Sequence, residues 1–80
     1  MWTRPGLGRR ERSIATLTAL LALRHWEEFA MHVRAARTNG LTADEIGEII
    51  LHSAIYAGVP AANTAFATAQ RVLDEDDPTA

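Results

Sequence analysis

Eighty residues are enough for one small domain, 1–80, which buries only about 60% of the surface its unfolded chain exposes and often gains the rest by self-association. Charged residues make up 22% and the net charge is -2, a soluble globular composition with no general attraction to nucleic acid or an acidic membrane. There is no cysteine, which excludes a disulfide framework, a CxxC redox centre and a thiol nucleophile, and is compatible with a cytoplasmic location.

The amino end, MWTRPGLGRRERS, is basic but lacks the uninterrupted apolar stretch of a signal peptide. Pro5, Gly6 and Gly8 make residues 1–8 an extended or turn-like lead-in. The first helix is predicted from residue 9 or 10 to residue 23 or 24. Ile14, Leu17, Leu20, Leu21 and several alanines leave it little polar surface, so it should be buried on most sides, with some of that burial supplied by another subunit or a missing segment. Its apolar run is too short to cross a bilayer and is broken by Thr16 and Thr18.

The stretch HWEEFAMHVRAARTNG, residues 25–40, predicts the second helix. Trp26, Phe29, Ala30, Val33 and Ala36 or Arg37 follow the i, i+3, i+4, i+7 rule, and Gly40 supplies the stop. Thr42 and Glu45 have the spacing of a capping box for a third helix over about residues 43–57. Its main apolar row is Ile46, Ile49, Ile50, Ser53 and Ala57. Leu51 and Ile55 lie well round the wheel, either as core within the chain or as a subunit contact. Gly58 ends this helix, and Pro60 suits the first turn of a fourth that runs to about residue 74. Ala62, Ala65, Phe66, Ala69, Val72 and Leu73 form its expected inner face. The acidic residues 75–80 are expected to fray. No segment alternates like a strand, so the fold class is all-α.

At 100° per residue, His25, Glu28 and His32 fall within roughly 60° of one another beside the apolar stripe of the second helix. Glu28 and His32 are an i, i+4 pair able to hydrogen-bond, which would fix the imidazole tautomer. Glu27 and Arg34, on the far side, read as a solvated pair. The plainer account of the trio is a polar helix edge. A metal site would need three ligands from one helix and is not expected, although His52 is also available. Arg4, Arg9, Arg10 and Arg12 crowd the start of the first helix, where cations oppose the dipole. Such a cluster fits either an anion site or simple solubility. There is no GxxxxGK[ST], GxSxG or HExxH.

WTRPGLGRRERS, RHWEEFAMHVRAARTNGLT and IYAGVPAANTAF together resemble the carboxymuconolactone decarboxylase family in order and spacing, over about residues 2–73. The resemblance implies an alkylhydroperoxidase-D-like helical fold assembled as trimers or hexamers. In the family's thiol-peroxidase branch a CxxC and a histidine occupy the matching helix. Here His25 and Glu28 stand at the two cysteine positions and His32 at the histidine, so peroxidase chemistry is excluded. Members usually carry further helical sequence before the WxRPGL block. The expectation is therefore a fragment, a shortened chain, a misplaced start, or a domain clipped from a fusion behind an enol-lactone hydrolase.

The activity implied is decarboxylation of 4-carboxymuconolactone to the β-ketoadipate enol-lactone in protocatechuate breakdown. No cofactor is expected, because the lactone itself accepts the electrons. The resemblance suggests His32 as proton donor, Glu28 as its orienting carboxylate and His25 as a donor to the developing oxyanion. Arg12 and Arg4 would take a substrate carboxylate. A lactone substrate and further copies of the chain are then the expected partners, with no nucleic acid and no membrane. The alternative is a non-catalytic helical oligomerisation module.

Overall fold

Each apolar stripe becomes a helix: α1 (Arg9–Leu23), α2 (Trp26–Thr38), α3 (Ala43–Ala57) and α4 (Val59–Asp76). The computed structural model describes residues 2–76, and among these there is no strand. α4 runs two residues past its expected end. The rest of the expected acidic tail, like Met1, lies outside the described residues.

Local chemistry sets the joints. α1 stops at Arg24, which takes a left-handed conformation with φ 60°. The Arg24 N–H then donates to Leu21 O and the His25 N–H to Leu20 O, satisfying carbonyls the helix end leaves open. α2 ends as expected: Gly40 turns the chain with φ 99°, and Leu41 N–H donates to Ala36 O. The capping box also forms. Thr42 Oγ1 accepts from the Glu45 N–H at 3.1 Å and the Glu45 carboxylate accepts from the Thr42 N–H at 2.9 Å. Pro60 sits in the first turn of α4, where no helical N–H is lost.

The helices close into a ring. α1 and α4 each pack on both α2 and α3. Leu17, Leu21, Phe29, Val33, Leu41, Ile46, Ile50 and Val72 are its largest fully buried side chains. On α4 the inner stripe is Ala61, Ala62, Ala65, Ala69 and Val72. These small residues let the helix backbone approach closely. Phe66, expected inside, is displaced to the rim of a shallow cleft between α3 and α4 and remains 41% exposed.

Two apolar surfaces stay open within the chain. α1 buries only Ser13, Leu17 and Leu21, and its alanines at 15, 19 and 22 face out, because a ring of four helices gives each helix one wall. Leu51 and Ile55 are 58% and 75% exposed, so the third helix does not carry core on both sides within the chain. One polar bond crosses the interior edge: Asn39 Nδ2 donates to Ser13 Oγ at 3.0 Å, tying the end of α2 to α1.

The starts of α1 and α3 are joined by the Arg10 guanidinium, which grips both Glu45 carboxylate oxygens and also reaches Gly40 O. The Arg10 hydrogen bonds, with help from the Thr42 N–H, lower the Glu45 pKa from 4.5 to about 2. A depressed carboxylate stabilises the fold above its unfolded pKa and loses that contribution as it protonates. Thermal melts should therefore show stability falling as pH drops from about 4.5 toward about 2, with Glu45→Gln less stable near neutrality and less steep over that window.

Candidate functional site

The site begins with how α2 is turned. Phe29, Ala30, Val33 and Ala36 are buried against the ring, and Trp26 meets Phe29 edge-on with centroids 5.7 Å apart. This leaves Glu28 and His32 on the flank the sequence predicts. Their environments differ. Glu28, in the first turn, is exposed and favourably placed at the positive end of the helix dipole. His32, one turn later, is half-buried.

His25 is not inside the helix. It is the N-cap, with φ -88° and ψ 79°, no side-chain cap and an exposed ring. Its backbone closes the α1–α2 corner: the N–H donates to Leu20 O and the carbonyl accepts from Phe29 N–H. The hydrogen bond expected between Glu28 and His32 is also absent among the described residues. The His32 ring instead stacks on Trp2, with centroids 6.2 Å apart and planes inclined by 15°. Sequence reasoning missed Trp2 as part of this site. The signals that could have found it were its place at the head of the WxRPGL block and the Pro–Gly turn after it, able to fold it back.

The four arginines do not act as one cluster. Arg10 is committed to Glu45. Arg12 holds the lead-in: Nε donates to Leu7 O at 3.2 Å and Nη2 to Arg4 O at 2.9 Å. A guanidinium has five N–H groups, so the Nη1–Nη2 edge of Arg12 still presents a two-pronged fork of the kind that binds carboxylates. Arg9 and the side chain of Arg4 are exposed and make no hydrogen bond or ion pair among the described residues. The expected Glu27–Arg34 pair does not form. Arg34 reaches across to α4 and meets Glu75 at 2.7 Å, and Glu75 also takes Arg71.

Two adjoining clefts, of about 310 and 360 Å³, lie between α1 and α3 and share Thr18 and His52. His52 packs beside Tyr56 there, with centroids 5.5 Å apart, and Glu48 lies one turn before it. Neither cleft contains His25, Glu28 or His32. His25 and Glu28 are thus exposed at the head of α2, and of the three only His32 is shown meeting the lead-in, through Trp2. Among the described residues no three His, Asp or Glu side chains are gathered closely enough to hold a metal ion. The side chains present can do acid–base work at the His32 imidazole and bind an anion at the Arg12 guanidinium.

Comparison with known proteins gives this surface a context. Residues 1–71 match the model of the carboxymuconolactone decarboxylase family. Over 75 residues the chain is 48% identical to the 4-carboxymuconolactone decarboxylase of Acinetobacter baylyi, covering 94% of this chain and 56% of that protein. It is 39% identical over 75 residues to the nitrosuccinic acid decarboxylase of Metarhizium robertsii, covering 94% of this chain and 52% of that one. The chain thus spans about half the length of the curated relatives it matches.

The two Arg12 bonds carry a structural prediction. Arg12→Ala should speed amide exchange and protease cleavage in residues 3–8, while the buried amides of α2 stay protected. Unchanged exchange in the lead-in would show that Arg12 does not hold it.

Proposed function

Because the chain belongs to the carboxymuconolactone decarboxylase family, we propose that it acts as a cofactor-independent decarboxylase on 4-carboxymuconolactone, in protocatechuate breakdown. The observation that carries this reading is the 48% identity to a named 4-carboxymuconolactone decarboxylase across 94% of the chain.

The chemistry fits the side chains available. The substrate is a butenolide bearing a carboxylate on the ring carbon next to oxygen. The bond to that carboxylate breaks, carbon dioxide leaves, and the electron pair passes through the ring double bond to the lactone carbonyl. The resulting dienolate then takes a proton on carbon. The lactone serves as the electron sink, so the reaction needs no added cofactor. What the protein must supply is anion binding, stabilisation of the enolate oxygen and the returning proton.

His32 is the proton donor in this reading. Glu28, one turn earlier on the same flank, is the carboxylate assigned to orienting it once substrate is bound. His25, at the head of the helix, donates to the developing oxyanion. Arg12 takes a substrate carboxylate on its open fork, with Arg4 alongside. That contact aids turnover only to the extent that it is stronger in the transition state than in the bound substrate.

The apolar row Leu51, Ile55 and Tyr56 on α3 supports assembly into a trimer or hexamer. It equally favours the second reading, a helical oligomerisation module without activity. The two readings separate by assay. Carbon dioxide release from 4-carboxymuconolactone should be measurable and should survive exhaustive chelation. His32→Gln should lower turnover by about 10²–10⁴ with the fold intact, Glu28→Gln by less, and Glu27→Gln on the opposite face not at all. No release from the unaltered chain would leave the oligomerisation module. For assembly, light scattering at micromolar concentration should give a trimer or hexamer, and Ile55→Asp should shift it toward smaller species. A monomer from the unaltered chain would refute the assembly proposal.

A further inference from the structure

His32 has an unusual set of restraints for a proposed acid. Neither ring nitrogen has a hydrogen-bond partner among the described residues, and Glu28 does not hold it. A half-buried imidazole on the flank of a helix would otherwise swing between side-chain rotamers. Among the described residues its one ring contact is the stacked indole of Trp2, with centroids 6.2 Å apart and planes inclined by 15°.

Trp2 is in turn held by a built path. Gly6 turns the lead-in back with φ 121°, a conformation that side-chain-bearing residues rarely adopt. Arg12 fixes the carbonyls on either side of that turn, at Arg4 and Leu7. The Arg12 N–H donates to Gly8 O, which seats the end of the lead-in on α1. The indole therefore reaches α2 as the end of a strap with three anchored points.

From this we infer that Trp2 is a positioning residue for His32: it fixes the imidazole plane by stacking. The inference rests on the reading of His32 as proton donor. Stacking is suited to that task. A hydrogen bond from Glu28 would orient the ring but engage one of its nitrogens. An indole covers a face of the ring and leaves both edge nitrogens available for the substrate. Arg12 anchors the strap with one edge of its guanidinium and offers the other to the substrate carboxylate, so the same residue sets both ends of the site.

The test combines ring-proton NMR of His32 with steady-state kinetics in the full chain, for Trp2→Ala, Trp2→Phe and Gly6→Ala. A Cβ on Gly6 would meet nothing within 4 Å, so that variant acts through the backbone alone. The His32 ring protons should be shifted upfield by the indole, lose that shift in Trp2→Ala, largely keep it in Trp2→Phe and lose part of it in Gly6→Ala. Turnover should fall about 10-fold to 10²-fold in Trp2→Ala with KM little changed, and Trp2→Phe should recover most of it. Identical His32 resonances in the unaltered chain and Trp2→Ala would overturn the inference. So would unchanged kinetics in Trp2→Ala when His32→Gln is inactive. If the unaltered chain releases no carbon dioxide, the decarboxylase reading fails by itself, and the ring shifts still decide whether Trp2 holds His32.

Discussion

The rotation of α2 about its own axis is the constraint on which the rest depends. Phe29, Val33 and Ala36 have no solvent access, and together they allow one setting of the helix against α1 and α4. The ends are pinned as well, by the His25 N–H on Leu20 O and by Asn39 on Ser13. A turn of even 50° would bring part of the His32 flank into the core or carry it into open water, since neighbouring helix positions lie about 100° apart. The chemistry-bearing edge is thus placed by apolar packing on the opposite side of the same helix.

Charge shows the same dependence on distant partners. Arginines at the start of α1 work against its dipole, and the fold offsets this by sharing them out. Arg10 serves the first turn of α3, where Glu45 already works as a cap, so one carboxylate closes a helix end and joins two helices. Arg12 serves the lead-in. What reads along the chain as one basic cluster is, in space, two separate fastenings and two exposed cations.

The legible part of the structure was whatever repeats along one helix. The bounds of α1, α2 and α3, the Gly40 stop, the Thr42–Glu45 box and the buried stripe of α2 all follow from spacing and local capping chemistry. Contacts between segments distant in sequence were not legible. Arg10 and Glu45 are 35 residues apart and nothing local couples them. Phe66 was misplaced because helical spacing counts hydrophobicity and not the room that an alanine stripe leaves. In the candidate site, the shared flank of Glu28 and His32 was readable, but the ring contact was not. It depends on a lead-in without periodicity, whose path one glycine and two side-chain hydrogen bonds determine. His25 was assigned to a helical turn and became its cap, because the left-handed Arg24 closes α1 just before it.

Arg24 itself has a consequence for mechanics. Glycine would occupy its left-handed position with about 1 kcal/mol less backbone strain. Glycine would lack the guanidinium that points at Ala57 O, 3.5 Å away, where a cation meets the negative end of α3. The corner accepts a locally unfavourable backbone and gains a side-chain brace from the first helix pair to the third helix. The α1–α2 corner is accordingly tied to the end of α3 as well as to its own two helices.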